Sequence, residues 1–132
     1  MTIASQNIFL LRMNLGERNL KINTELWGKL RLEGTLEKYP VNKVEKPGKQ
    51  KLWKIRYFVL ADNLAYFENE DAYRSGKKPK GIICLDFAAI SPHTDKNKIT
   101  LRTPGKFLLL KAKDEGEIET WFKALKLAQN QE

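Results

Sequence analysis

Lys54 and Arg56 stand two residues apart in the run KLWKIRYFVL, which spans Lys51 to Leu60. An arginine carries a planar fork of donors that can grip phosphate oxygens in pairs, and a lysine carries a mobile point charge. Cations spaced by two share one face of an extended strand. The chemistry open to such a face is the binding of a compact polyanion. The surrounding sequence strengthens the point. Residues 38–80 hold eleven cations (Lys38, Lys43, Lys46, Lys49, Lys51, Lys54, Arg56, Arg74, Lys77, Lys78 and Lys80) against five acids (Glu45, Asp62, Glu68, Glu70 and Asp71). This segment therefore carries +6 of the net +8 of the 132-residue chain. A regional excess favours a site for an anionic partner, whether nucleic acid, acidic membrane or phosphorylated ligand, over a uniformly solvated surface.

Other chemistry finds little support. The single cysteine, Cys84, lies in the apolar run GIICLDF and reads as a small buried residue in a reducing compartment. The single histidine, His93, lies in SPHTDK and reads as a surface-loop residue far from any second ligand. No nucleophile is paired with a base, and no metal cluster, phosphate-binding loop or dinucleotide fingerprint is present, so no catalytic residue, metal or cofactor is assigned. No apolar run reaches the roughly 20 residues of a membrane span, and NIFLLRMNL lacks the features of a signal peptide. A cytoplasmic protein is expected.

The elements that must position these cations follow from pattern. A chain of 132 residues with 42% apolar content suits one folded domain. Residues 1–29 read as an extension, with Ile8, Leu11 and Leu15 at helical spacing; a short amphipathic helix is expected there, with a strand as the alternative. From Arg31 the pattern is one of short strands. RLEGTLEKY alternates, PVNKVEKPGKQK is a loop, and LWKIRYFVL and LAYFEN form a hairpin across ADN. In the second strand Leu52, Ile55, Tyr57 and Val59 are expected to face the core. EDAYRSGKKPK reads as a polar loop. GIICLDFAAI reads as two strands kinked near Asp86, and KITLRT and KFLLLKAK join across PG. About seven strands result, an antiparallel sandwich or barrel. The end is a helix: Asp114 caps it, and Ile118, Trp121, Phe122, Leu125 and Ala128 line one face. Glu119 and Lys123 can pair on its surface. That apolar face has to be buried, and the open end of the barrel is the natural place.

EGTLEK, WKIRYFVL, LAYFEN, PKGIICL and EIETWFKAL occur in an order and at intervals that resemble a pleckstrin homology (PH) domain, from about Leu30 to Ala128. The resemblance implies a mainly β fold: a seven-stranded, bent antiparallel barrel capped by one C-terminal α-helix. It divides the chain into the extension 1–29, the domain 30–128 and a tail 129–132. It also implies a phosphoinositide-headgroup site at the open end of the barrel, with one face of the second strand lining phosphate and the other the core. Position by position, Lys38 matches a first-strand lysine that contacts inositol phosphates, and Lys54 and Arg56 match a basic pair on the second strand. Tyr66 matches a third-strand tyrosine whose hydroxyl meets a phosphate, and Lys80 matches a basic residue before the fourth strand. These positions resemble the subset that favours 3-phosphorylated phosphoinositides. Fifteen residues separate Lys38 from Lys54, a longer first loop than the family's usual one. Its lysines, Lys43, Lys46, Lys49 and Lys51, would give auxiliary attraction to an acidic membrane surface.

The expected role is thus a signalling module recruited peripherally to membranes. The alternative is a scaffold for protein contacts, with the partner on residues 1–29 or the C-terminal helix and only weak binding to acidic lipid. A nucleic-acid partner is not expected, because the aromatics of the second and third strands are committed to the core. Trp121 is expected in the core. Trp53 either packs outside the first loop or reaches toward the membrane.

Overall fold

A computed structural model describes residues 21–22 (backbone only), 30–42 and 52–129. Eight strands and two helices are present among them: β1 (Lys21–Ile22), β2 (Leu32–Pro40), β3 (Lys54–Leu60), β4 (Leu64–Phe67), α1 (Glu70–Arg74), β5 (Gly81–Ile83), β6 (Ala89–Pro92), β7 (Lys98–Thr103), β8 (Lys106–Lys111) and α2 (Glu115–Gln129). All strand pairings are antiparallel. The seven strands β2 to β8 form one sheet in the order β5-β4-β3-β2-β8-β7-β6, and β1 pairs with the first residues of β2. β2 pairs with β1 through Leu32 and Glu33 and with β8 through Glu37–Pro40. The helix expected near Ile8–Leu15 lies outside the described residues.

Residues directly opposite in an antiparallel ladder share a face. Leu36, Phe58, Leu60, Leu64, Ile83, Ile99, Leu101, Leu108 and Leu110 are all buried in one core on the inner face. α2 packs on β6 and β7 and closes that core with Ile118, Trp121, Ala124 and Leu125. Trp121 is fully buried, as expected. Asp114 Oδ1 accepts from the Glu117 N–H at 2.8 Å, the expected cap. Lys123 pairs with Glu119 at 3.4 Å. At the other end of α2, the Gln129 side-chain amide donates to the carbonyls of Leu85 and Ala88, at 2.8 and 2.6 Å. These bonds tie the helix to the bend between β5 and β6, the two ends of the sheet.

Three expectations are corrected. First, the core face of β3 is the opposite one. Phe58 and Leu60 point inward, whereas Tyr57 and Val59 form an outer cluster with Phe67, Ala65 and Tyr73, and Leu52 and Ile55 are exposed. Both faces of β3 are apolar in its second half, so alternation alone could not say which was inside. Second, EDAYRSGKKPK is not all loop. Asn69 Oδ1 accepts from the Ala72 N–H at 2.8 Å and starts α1, which covers the outer cluster. The turn after α1 passes through Gly76 at φ 82°, the left-handed conformation that glycine adopts without strain. Third, Cys84 is exposed, because Ile83 and Leu85 on either side of it take the inward positions.

Candidate functional site

The corrected face of β3 changes what its cations can do. Lys54 and Arg56 are in step with Phe58, so they extend from the inner face, beyond the edge of the core. Across the ladder Lys54 lies opposite Lys38, and Arg56 lies opposite the buried Leu36. Lys38 in turn lies opposite Leu110 of β8. Tyr66 lies opposite Phe58 on one side and Gly81 on the other. Thus Lys38, Lys54, Arg56 and Tyr66 share the concave face, at the end of the sheet where β2 stops and β3 begins.

Tyr66 links this mouth to the core. Its ring packs on Phe58 with centroids 5.4 Å apart, and the Lys38 ammonium sits 4.7 Å from its centroid. That distance is within cation–π range. The ring lies across Gly81 so closely that a methyl group there would overlap the ring and its hydroxyl. A second ammonium, from Lys106 at the start of β8, lies 5.6 Å from the same ring. Lys106 is in step with the inward Leu108 and Leu110, so period-two alternation in KFLLLK carried the signal that would have found it.

Arg56 Nη1 donates to the carbonyl of Ile55 at 2.9 Å. Its Nε is buried and has no hydrogen-bond partner among the described residues. Lys80, just ahead of β5, is tied to the site by its backbone N–H, which donates to the Tyr66 carbonyl at 2.8 Å. Its ammonium is paired with Glu68 at 2.8 Å. Hydrogen bonding and charge from Lys80, with smaller contributions from Arg56 and Lys54, hold the Glu68 carboxyl below its ordinary pKa. Sequence reasoning missed Glu68 as part of the mouth. Lys43, Lys46, Lys49 and Lys51 lie outside the described residues.

Trp53 is on the other face. It packs on Tyr39 with centroids 5.4 Å apart, and the ammoniums of Lys111 and Lys98 lie 4.5 and 5.3 Å from its ring. His93 is half-buried and accepts the Asp95 N–H at Nδ1, 3.0 Å away. Among the described residues no cluster of histidine, cysteine or acidic side chains could hold a metal, and no helix is long and apolar enough to cross a membrane.

The fold has many solved counterparts. The chain is similar to the human PH domain of oxysterol binding protein-related protein 11, at 31% identity and TM-score 0.59, over 75% of this chain and 79% of that one. It is similar at 25% identity and TM-score 0.54 to the C-terminal PH domain of pleckstrin in complex with D-myo-Ins(1,2,3,4,5)P5, over 74% of this chain and 96% of that one. The PH domain of ArhGAP27, at 23% identity and TM-score 0.60, shares the fold over 76% of this chain and all of that one. A comparison with curated protein sequences gives no match. The family model for the PH domain matches residues 30–130, and this chain belongs to the PH domain family.

Proposed function

We propose that the chain is a membrane-targeting module that binds phosphoinositide headgroups, with a preference for 3-phosphorylated ones, from the cytoplasmic side. The observation that carries this reading is the sharing of one concave face by Lys38, Lys54, Arg56 and Lys106 around Tyr66. The buried Arg56 Nε adds to it, because an unpartnered charged donor next to a core is costly unless an anion completes it. In this reading Lys38, Lys54 and Arg56 grip phosphates, Tyr66 supplies a hydroxyl, and Lys80 joins when its carboxylate partner yields. The loop lysines Lys43, Lys46, Lys49 and Lys51 add non-specific attraction to an acidic bilayer. The pleckstrin complex supports the ligand class, since a related domain of the same fold holds an inositol pentakisphosphate.

The test is vesicle co-sedimentation across a panel of phosphoinositides, comparing the wild type with Arg56→Ala, each checked by thermal melt. The expected result is isomer-selective binding that falls at least about tenfold in a folded Arg56→Ala, in line with the loss of a charged hydrogen-bonding partner. Binding that follows only total lipid charge would remove the specific reading. It would leave a scaffold domain with weak acidic-lipid affinity.

A further inference from the structure

The last paired residues of the β3–β4 ladder are Tyr57 and Phe67. One step further in the same register sets Glu68 beside Arg56, on the concave face that Tyr66 already occupies. The chain then returns through Lys80, whose N–H is held by the Tyr66 carbonyl, and the Lys80 ammonium closes on Glu68 at 2.8 Å. A carboxylate therefore sits among the cations of the proposed site, where any phosphate approaching Lys80 has to go. Both side chains are about half exposed, 45% for Lys80 and 54% for Glu68. An exposed pair of this kind is weak and opens readily.

We propose that Glu68 is a selectivity gate, an internal competitor that holds Lys80 until a multiply charged phosphate displaces it. This rests on the headgroup-binding reading above and names what sets its charge threshold. A phosphomonoester carries nearly two negative charges and three strong acceptor oxygens, so it can replace a carboxylate on Lys80. A singly charged lipid such as phosphatidylserine cannot do so with profit, and it also meets repulsion from Glu68 itself. The gate lowers affinity for every anion, but least for those that place a phosphomonoester at Lys80. Glu68 thus converts a generally basic mouth into one that discriminates by phosphate number.

The experiment uses the full chain as wild type, Glu68→Gln, Lys80→Ala, the double variant, Arg56→Ala and Glu119→Gln. The last makes the same charge change at a surface pair on α2. Binding is read by calorimetry with inositol hexakisphosphate and by co-sedimentation with phosphatidylcholine vesicles containing phosphatidylserine. Glu68→Gln is expected to bind inositol hexakisphosphate about threefold tighter or more, with a larger gain on phosphatidylserine, so that selectivity falls. In the Lys80→Ala background most of that gain should vanish, and Glu119→Gln should show none. A Glu68→Gln variant no tighter than Glu119→Gln, or a gain undiminished without Lys80, would overturn the gate. Loss of wild-type binding in Arg56→Ala keeps the headgroup reading standing in either case. Absence of binding by every variant would overturn both.

Discussion

At the scale of single residues, the proposed site is built on a ring and on the glycine beneath it. Tyr66 is nearly buried, 8% exposed, yet it carries Lys38 and Lys106 on its face. It can lie there only because residue 81 has no side chain. Gly81→Ala is therefore expected to push the ring out of place, at a cost of about 1–3 kcal/mol for an overpacked position. It should weaken headgroup binding in protein that still folds, measured by denaturant titration alongside calorimetry with inositol hexakisphosphate. Unchanged binding would show that the ring does not organise the two ammoniums. The sequence displayed Tyr66 and its neighbours plainly. It did not display the contact with Gly81, because a close approach between strands is not a property of either strand.

At the scale of elements, α1 is held by a buried acid. Glu33 on β2, 7% exposed, accepts from Tyr57 Oη at 2.7 Å and from Arg74 Nη2, and pairs with Arg31 at 3.5 Å. Burial alone would push its carboxyl up. The Tyr57 hydrogen bond and the Arg74 and Arg31 guanidiniums outweigh that and hold it below the usual value of 4.5. Burial, followed by the bond to Glu33, pushes the Tyr57 hydroxyl up. Because the folded-state pKa of Glu33 is depressed, its contribution to stability is present above the unfolded value and is lost as pH falls through the folded value. Glu33→Gln should therefore lose stability at neutral pH and show a shallower fall in melting temperature on acidification than the wild type. Parallel slopes would show that the carboxylate does not anchor α1. Asn69, the cap of α1, ends the segment LAYFEN that the sequence pattern reads as strand. The helix after it was not legible, since five residues show no periodicity and their stability comes from the cluster of Tyr57, Val59 and Phe67 beneath.

At the scale of the whole molecule, β2 to β8 wrap one core, α2 fills it, and the basic mouth opens where that core ends. Stability and the proposed headgroup binding are consequently expected to be separable. Trp121→Ala removes a fully buried side chain and should cost about 3–5 kcal/mol, seen as a large drop in denaturation midpoint. Headgroup affinity of the molecules that remain folded should hardly change, because Trp121 lies on the helix rather than at the mouth. A loss of affinity matching that of Arg56→Ala would tie the site to helix packing instead.

The residues themselves determined the strands, the capped final helix with Trp121 in the core, and the regional charge, because these rest on local alternation, helical periodicity and composition. The order of motifs such as WKIRYFVL and EIETWFKAL was enough to indicate the PH domain. Tertiary structure alone decided which face of β3 is inside. With apolar residues at both Tyr57–Val59 and Phe58–Leu60, only packing against α1 on one side and α2 with the rest of the core on the other assigns them. That assignment is what places Lys54 and Arg56 on the concave face. It also brings Lys106 and Glu68, distant in sequence, into the same mouth, because closing the sheet around one core joins strand ends that no local pattern connects.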